Sequence, residues 1–301
     1  MRQYMRVWLV IVVGVLLVTS FGLGGWAARH MQTVPVLGQP GKSTGGIPDT
    51  RHKKAQHSPG IASGSLKGYD PRILPNFTAF KTVSERKRAF INFLLPLIDQ
   101  ANQNILAERR EFLELKAKST LTPVERERLH ALARKYRVLF EPENPAFWEE
   151  LLERVDTLPP SLILAQAAIE SAWGTSRFAI QGNNLFGMWC FSPGCGLKPL
   201  AREDDKSHEV RCYDSVLASI EDYLLNLNRH SRYAALRDQR KELRAANQPL
   251  SGLSLVQGLH GYSETGGTYI DTVASVIRHN RLERFDKADS LVAAGKDANQ
   301  G

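Results

Sequence analysis

The stretch DTLPPSLILAQAAIESAWG constrains the fold of this chain more than any other. Pro159 and Pro160 set the start of a helix, Ser161 is placed to cap it, and Gly174 stops it. From Leu162 to Ala172 the run is almost wholly apolar and small until Glu170. Ala165, Ala168, Ile169 and Ala172 suit burial, so the last turn carries a carboxylate where apolar cover is expected. Partial desolvation and the negative end of the helix dipole would both raise its pKa. A general acid needs that setting, because it must hold a proton at neutral pH while a second carboxylate stays charged. The plainer alternative is a Glu170 that faces solvent or pairs with Arg177.

Just downstream, GNNLFGMWC packs rings and amides close to this carboxylate. Trp173, Phe186 and Trp189 offer flat apolar faces and Asn183 and Asn184 offer amide donors and acceptors, a mixture suited to sugar rings. Gly182 and Gly187 would let backbone approach a ligand closely. Ordinary core packing is the competing account of the aromatic residues.

The sequence divides into five parts. Residues 1–28 hold about 20 uncharged residues flanked by Arg2, Arg6 and Arg29, which reads as a signal anchor or a cleaved signal peptide. Either places the remainder outside the cytoplasm. Residues 29–76 are rich in Pro, Gly, Ser and Lys and read as a flexible basic tether. Residues 77–156 read as helical, 157–285 as the main domain, and 286–301 as a frayed polar tail. Within the helical part, 84–118 places Phe90, Phe93, Leu94, Leu97, Ile98, Ile105 and Leu113 on one face, with Pro96 expected to kink or split the helix. Thr122-Pro123 starts the next helix, and 147–155 forms a short one. Beyond the NNLFG loop, LKPLARED and HEVRCYDS flank the turn-like DDKS and predict a two-stranded hairpin. Helices are expected again over 215–230, 253–259 and 269–279, so the body is mainly α with one small β lobe.

The formal charge is +8, and residues 1–80 contribute seven of it, through nine Lys/Arg against Asp49 and Asp70. Such a tether suits an anionic lipid surface or wall polymer, or is simply solvated. Nucleic acid is disfavoured, because the basic residues form no helix stripe and have no interleaved aromatics. Cys190, Cys195 and Cys212 lie close together, and in an oxidising compartment any two could pair. Their spacing is a weak zinc signal, and no metal, nucleotide, flavin or haem cofactor is expected.

Four ordered blocks, LAQAAIESAWGTSRFA, GNNLFGMW, VRCYDSVLASIEDYLLNLNRHSRYAALR and HGYSETGGTYIDTVASVI, resemble the bacterial endo-β-N-acetylglucosaminidases of glycoside hydrolase family 73. The resemblance implies a lysozyme-like α+β domain with a small β-hairpin lobe. It also implies cleavage of peptidoglycan glycan strands after N-acetylglucosamine. The N-terminal segment, read on its own, places the body in the periplasm, tethered to the inner membrane as an anchor or soluble there after cleavage of a signal peptide. Glu170 matches the family's general acid, and Tyr262 matches a tyrosine that assists the second step or orients substrate. The second carboxylate falls in the hairpin, with Glu203 preferred and Glu209 in reserve; Asp204 and Asp205 read as turn residues. Asp222 matches an acidic family position and could be structural. Trp173, Asn184, Phe186, Gly187, Trp189 and Tyr269 are the expected substrate contacts. MWCFSPGC departs from the usual family loop. A silent glycan-binding groove and a lytic transglycosylase or muramidase are the alternatives, although the latter's usual G-L-M-Q-type stretch is replaced by NNLFG.

Overall fold

Two threonines start the first two helices by the same device. Helix α1 (Val83–Lys116) and helix α2 (Pro123–Tyr136) each begin in a capping box, with Thr82 and Glu85 in one and Thr122 and Glu125 in the other. The computed structural model describes residues 73–200, 208–262 and 267–286, all within one compact unit. The expected signal segment, most of the tether, and Glu203, Asp204 and Asp205 lie outside these residues. Among the described residues no helix is long and apolar enough to cross a membrane.

Helix α1 runs unbroken through Pro96, so the expected split does not occur. The missing N–H and ring clash cost roughly 3 kcal/mol, but Phe93, Leu94 and Ile98 are buried on both sides and their burial outweighs that cost. Further along, the apolar face drifts. Leu113, expected inside, is 40% exposed, whereas Phe112 and Leu115 are buried, with Phe112 packed 5.8 Å from the Trp148 ring of α3 (Pro145–Arg154).

The apolar helix is α4 (Pro160–Glu170), and its side chains from Ser161 to Ala168 are all buried. Cover comes from α1, the short α8 (Gly252–Leu255), α9 (Gly267–His279) and a 3-10 turn at Leu282–Phe285. Ser161 does not cap α4 as expected. Pro159 occupies the cap without a side-chain bond, and the Ser161 N–H and Oγ both donate to Asp286, at 2.9 and 2.6 Å. The Gly252 N–H donates to the same carboxylate at 3.2 Å. An anion suits a helix N-terminus, so Asp286, expected as the first residue of a frayed tail, is tied into the fold; the rest of that tail lies outside the described residues.

Between α4 and α8 lie α5 (Arg177–Gly182), α6 (Val216–Arg229) and α7 (Ala234–Ala245). Helix α7 has no counterpart in the sequence reading. Its buried residues include Arg237 and Arg240, so its inward face does not look apolar. The β lobe also departs from expectation: it is a three-stranded antiparallel sheet in the order β1-β3-β2, formed by β1 (Trp189–Cys190), β2 (Gly196–Leu197) and β3 (Glu209–Arg211). Trp189 faces Val210 and Cys190 faces Glu209 on one side of β3, while Gly196 faces Arg211 on the other.

Candidate active site

Glu170 ends α4 and is only partly accessible. Burial pushes its carboxyl up to about 7, opposed by the hydrogen bond that the Tyr269 hydroxyl donates to Oε1 at 2.9 Å. The expectation of a raised carboxyl is therefore met, and the desolvation invoked from the sequence is its physical cause. The alternative pairing with Arg177 does not form; Arg177 instead donates to the Lys198 carbonyl at 2.6 Å.

The Tyr269 hydroxyl is held from behind. Gln166 Nε2 donates to it at 3.0 Å, and Gln166 Oε1 in turn accepts from the Tyr223 hydroxyl. This fixes a direction of donation. With its lone pair engaged by Gln166, Tyr269 presents its proton to Glu170 Oε1, which leaves Oε2 to carry the carboxyl's own proton. Gln166 was not singled out in the sequence, although it stands four residues before Glu170 in the same apolar run, which puts both on one helix face. Tyr262 stacks on Tyr269 with ring centroids 5.1 Å apart, and its hydroxyl donates to the Phe186 carbonyl at 3.3 Å. Burial holds the phenols of Tyr223, Tyr262 and Tyr269 well above their ordinary pKa, so all three remain neutral donors over the physiological range.

The chain leaves Glu170 through a tight turn. Ala172, Trp173 and Gly174 have φ of 51°, 59° and 77°, three successive left-handed residues. For a non-glycine residue that conformation costs roughly 1–2 kcal/mol. Hydrogen bonds offset part of it: the Trp173 N–H donates to the Ala168 carbonyl at 2.8 Å, the Gly174 N–H to Ser171 Oγ at 2.8 Å, and Ser171 Oγ to the Ala167 carbonyl at 2.5 Å.

Three of the expected sugar contacts are buried: Tyr269, held between Gln166 and Glu170, and two that serve the loop itself. Asn184 is buried, with its amide donating to the carbonyls of Met188 and Arg211, both at 2.9 Å, and accepting from the N–H groups of Phe186 and Met188. It ties the NNLFG loop to β3. Phe186 is also buried, stacked 3.9 Å from Tyr223. Both residues shape the loop from inside, where a ligand cannot reach them. Gly187, by contrast, has φ of 65° and open space where a Cβ would stand. Trp189 is partly exposed and stacks on His208 at 4.2 Å, a partner the sequence reading did not identify. Trp173 packs edge-on against Phe90 at 5.5 Å.

Glu209 is buried in β3, and its two oxygens accept from the N–H groups of Gly194 and Gly196 at 3.2 and 2.8 Å. That anchors the CFSPGC loop. The loop is closed by a Cys190–Cys195 disulfide, and Cys212 is a free thiol. The two bonded sulfurs lie within 4.8 Å of Glu209, so a metal there would first require their reduction. Asp222 accepts from the Tyr213 hydroxyl at 2.7 Å and pairs with Arg211 at 3.7 Å, which favours its structural reading.

A raised acid backed by neutral phenols is equipped to protonate a leaving oxygen. A family model described as Glucosaminidase, mannosyl-glycoprotein endo-beta-N-acetylglucosaminidase, matches residues 146–282. The chain is also similar to Protein bax of Escherichia coli (strain K12), with 34% identity over 209 residues, 69% of this chain and 74% of the relative.

Proposed function

This chain belongs to the glucosaminidase family, and on that premise we propose that it is an endo-β-N-acetylglucosaminidase that cuts the β-1,4 bond after N-acetylglucosamine in peptidoglycan. It is a glycoside hydrolase. The observation that carries the finer reading is the Glu170 carboxyl, raised to about 7 by burial and held at one oxygen by Tyr269. In this mechanism Oε2 delivers its proton to the glycosidic oxygen as the bond breaks, while the Tyr269 bond to Oε1 strengthens as negative charge develops on the carboxylate. With both Glu209 oxygens engaged by backbone N–H groups, Glu203 is the better candidate to activate water on the opposite face of the sugar. Wider separation of the two carboxyls would give inversion. A mainly helical body with a buried acid helix and one small antiparallel sheet fits a lysozyme-like arrangement.

Mass spectrometry of soluble fragments from purified peptidoglycan tests this reading. Fragments ending in reducing N-acetylglucosamine are expected. Anhydromuramyl ends would instead identify a lytic transglycosylase, and binding without release would identify a silent groove.

We also propose that the enzyme works outside the cytoplasm, tethered to the inner membrane. The support is the uncharged run between Arg6 and Arg29 and the basic stretch after it. Protease added to intact spheroplasts should digest the catalytic body while a cytoplasmic marker survives; protection of both would refute the topology.

A further inference from the structure

Helix α1 lies wholly ahead of the matched family span of 146–282, yet it touches the chain just before and just after α4. At the N-terminal end, Asn102 brackets the last residue before the prolines. Its Nδ2 donates to the Leu158 carbonyl at 2.9 Å and its Oδ1 accepts from the Leu158 N–H at 3.3 Å. At the C-terminal end, Phe90 meets the Trp173 ring, and Lys87 places Nζ 4.6 Å over the same ring while donating to Asn280 Oδ1 at 3.1 Å. Phe77, in the 3-10 turn Phe77–Ala79, closes the gap from beneath. A Cβ on Gly174 would stand 2.4 Å from Phe77 and 3.2 Å from Phe90. Phe77 and Phe90 have no exposed surface and meet edge-on at 5.4 Å.

A run of three left-handed residues persists only where surrounding structure over-determines it. The packing that does so here comes from the residues ahead of the family span. We propose that Phe77 and Phe90 are positioning residues for catalysis, clamping the Trp173–Gly174 turn so that Glu170 keeps its place and its shelter from water. The proposal rests on the reading of Glu170 as the general acid. On this account α1 is a splint of the catalytic helix, and the working catalytic unit begins at the aromatic cluster rather than at the start of the family span.

The full chain with Phe90→Leu or Phe77→Leu tests the clamp, beside Leu129→Ala as a control. Leu129 is buried in α2, which packs on α1, α3 and α6 and is not among the elements packed on α4. Turnover is measured well below every melting temperature, as kcat, KM and the alkaline limb of the kcat–pH profile. Among the described residues, the other titratable groups that sense Glu170 are the phenols of Tyr223, Tyr233, Tyr262 and Tyr269, with Tyr233 pushed up to about 12 and the rest also well above neutral pH. The limb therefore reports Glu170.

Either leucine variant should lower kcat roughly 10- to 100-fold with KM little changed, as expected for slight misplacement of a reacting group. It should also move the alkaline limb to lower pH, because admitted water returns Glu170 toward an ordinary carboxylate. Leu129→Ala should lower the melting temperature and leave both readouts unchanged. Leucine variants that behave like Leu129→Ala would overturn the clamp while leaving the acid in place. Wild-type turnover by Glu170→Gln would overturn the assignment of the acid, and the clamp's catalytic role with it.

Discussion

Glu170→Gln is expected to lower turnover by about 10²- to 10⁴-fold, the usual contribution of a general acid, and to make the protein more stable at pH 8. The first effect follows from removing the proton while keeping shape, since the glutamine amide can still accept from Tyr269 but has no acid proton to give. The second follows from the sign of the shift. Glu170 is raised from 4.5 to about 7 in the folded protein, so the native state binds more protons than the unfolded chain across that interval, and stability falls as pH rises through it. Each unit is worth about 1.4 kcal/mol, which sets an upper bound of roughly 3–4 kcal/mol on the cost of holding the ionised group. Glutamine does not ionise and escapes that cost. The gain should be present at pH 8 and absent at pH 4. Wild-type kcat should fall along an alkaline limb near pH 7. Urea titrations at the two pH values, beside a kcat–pH profile, check both effects; equal stability of the two proteins at pH 8 would mean that Glu170 is not held in a desolvated site.

How much of this was legible in the sequence depended on whether the informative residue was apolar. The acid helix could be read from its two prolines, its apolar run and its glycine, because those residues act locally. The helix start at Thr122-Pro123 was legible for the same reason, although the capping box that makes it was not named. Failures arose where tertiary contacts override local signals. Ser161 looks like a cap because serine at a helix start usually is one, but the carboxylate that takes the part is 125 residues away. Asn184 and Phe186 look like sugar contacts, and nothing local distinguishes an amide that faces a ligand from one whose atoms all serve the backbone. Strand β1 is two residues long and pairs across an intervening loop, too short for an alternating pattern to emerge. The disulfide stayed open among three cysteines because Cys195 lies within reach of both others: it bonds to Cys190, while its carbonyl accepts from the Cys212 N–H at 3.1 Å. Helix α7 was missed because its buried face presents arginines, which periodicity counts as surface.

Arg240→Met is the second large effect expected. Arg240 is fully buried, and its guanidinium donates to the carbonyls of Asp156, Thr157 and Glu153 and to Asn228 Oδ1, at 3.2, 3.0, 2.8 and 2.8 Å. Those carbonyls belong to the chain that leads from α3 into α4. Beside them, the buried Asp156 carboxylate is shared by Arg244 at 2.9 Å, Arg240 at 3.6 Å and Arg109 at 4.0 Å. Burial works to raise its carboxyl, and the guanidiniums of Arg240, Arg109 and Arg244 overcome that, leaving it below its ordinary value. Methionine fills much of the volume but returns none of the bonds, so a loss of about 3–5 kcal/mol is expected, as when one partner of a buried pair is removed. The pH dependence has a definite sign. A depressed carboxyl contributes stability that is present above its unfolded pKa and lost as pH falls through the folded value. Without Arg240 burial is less opposed, so acid unfolding should begin at higher pH in the variant. Because Glu170 stands at the opposite end of α4, the alkaline limb of kcat should stay near pH 7 in whatever fraction remains folded. A variant that loses less than about 1 kcal/mol in urea would mean that the buried network contributes only as much as an exposed ion pair. One that keeps its stability loss but also shifts the alkaline limb would mean that α4 passes disturbance along its length, and that its two ends are not held independently.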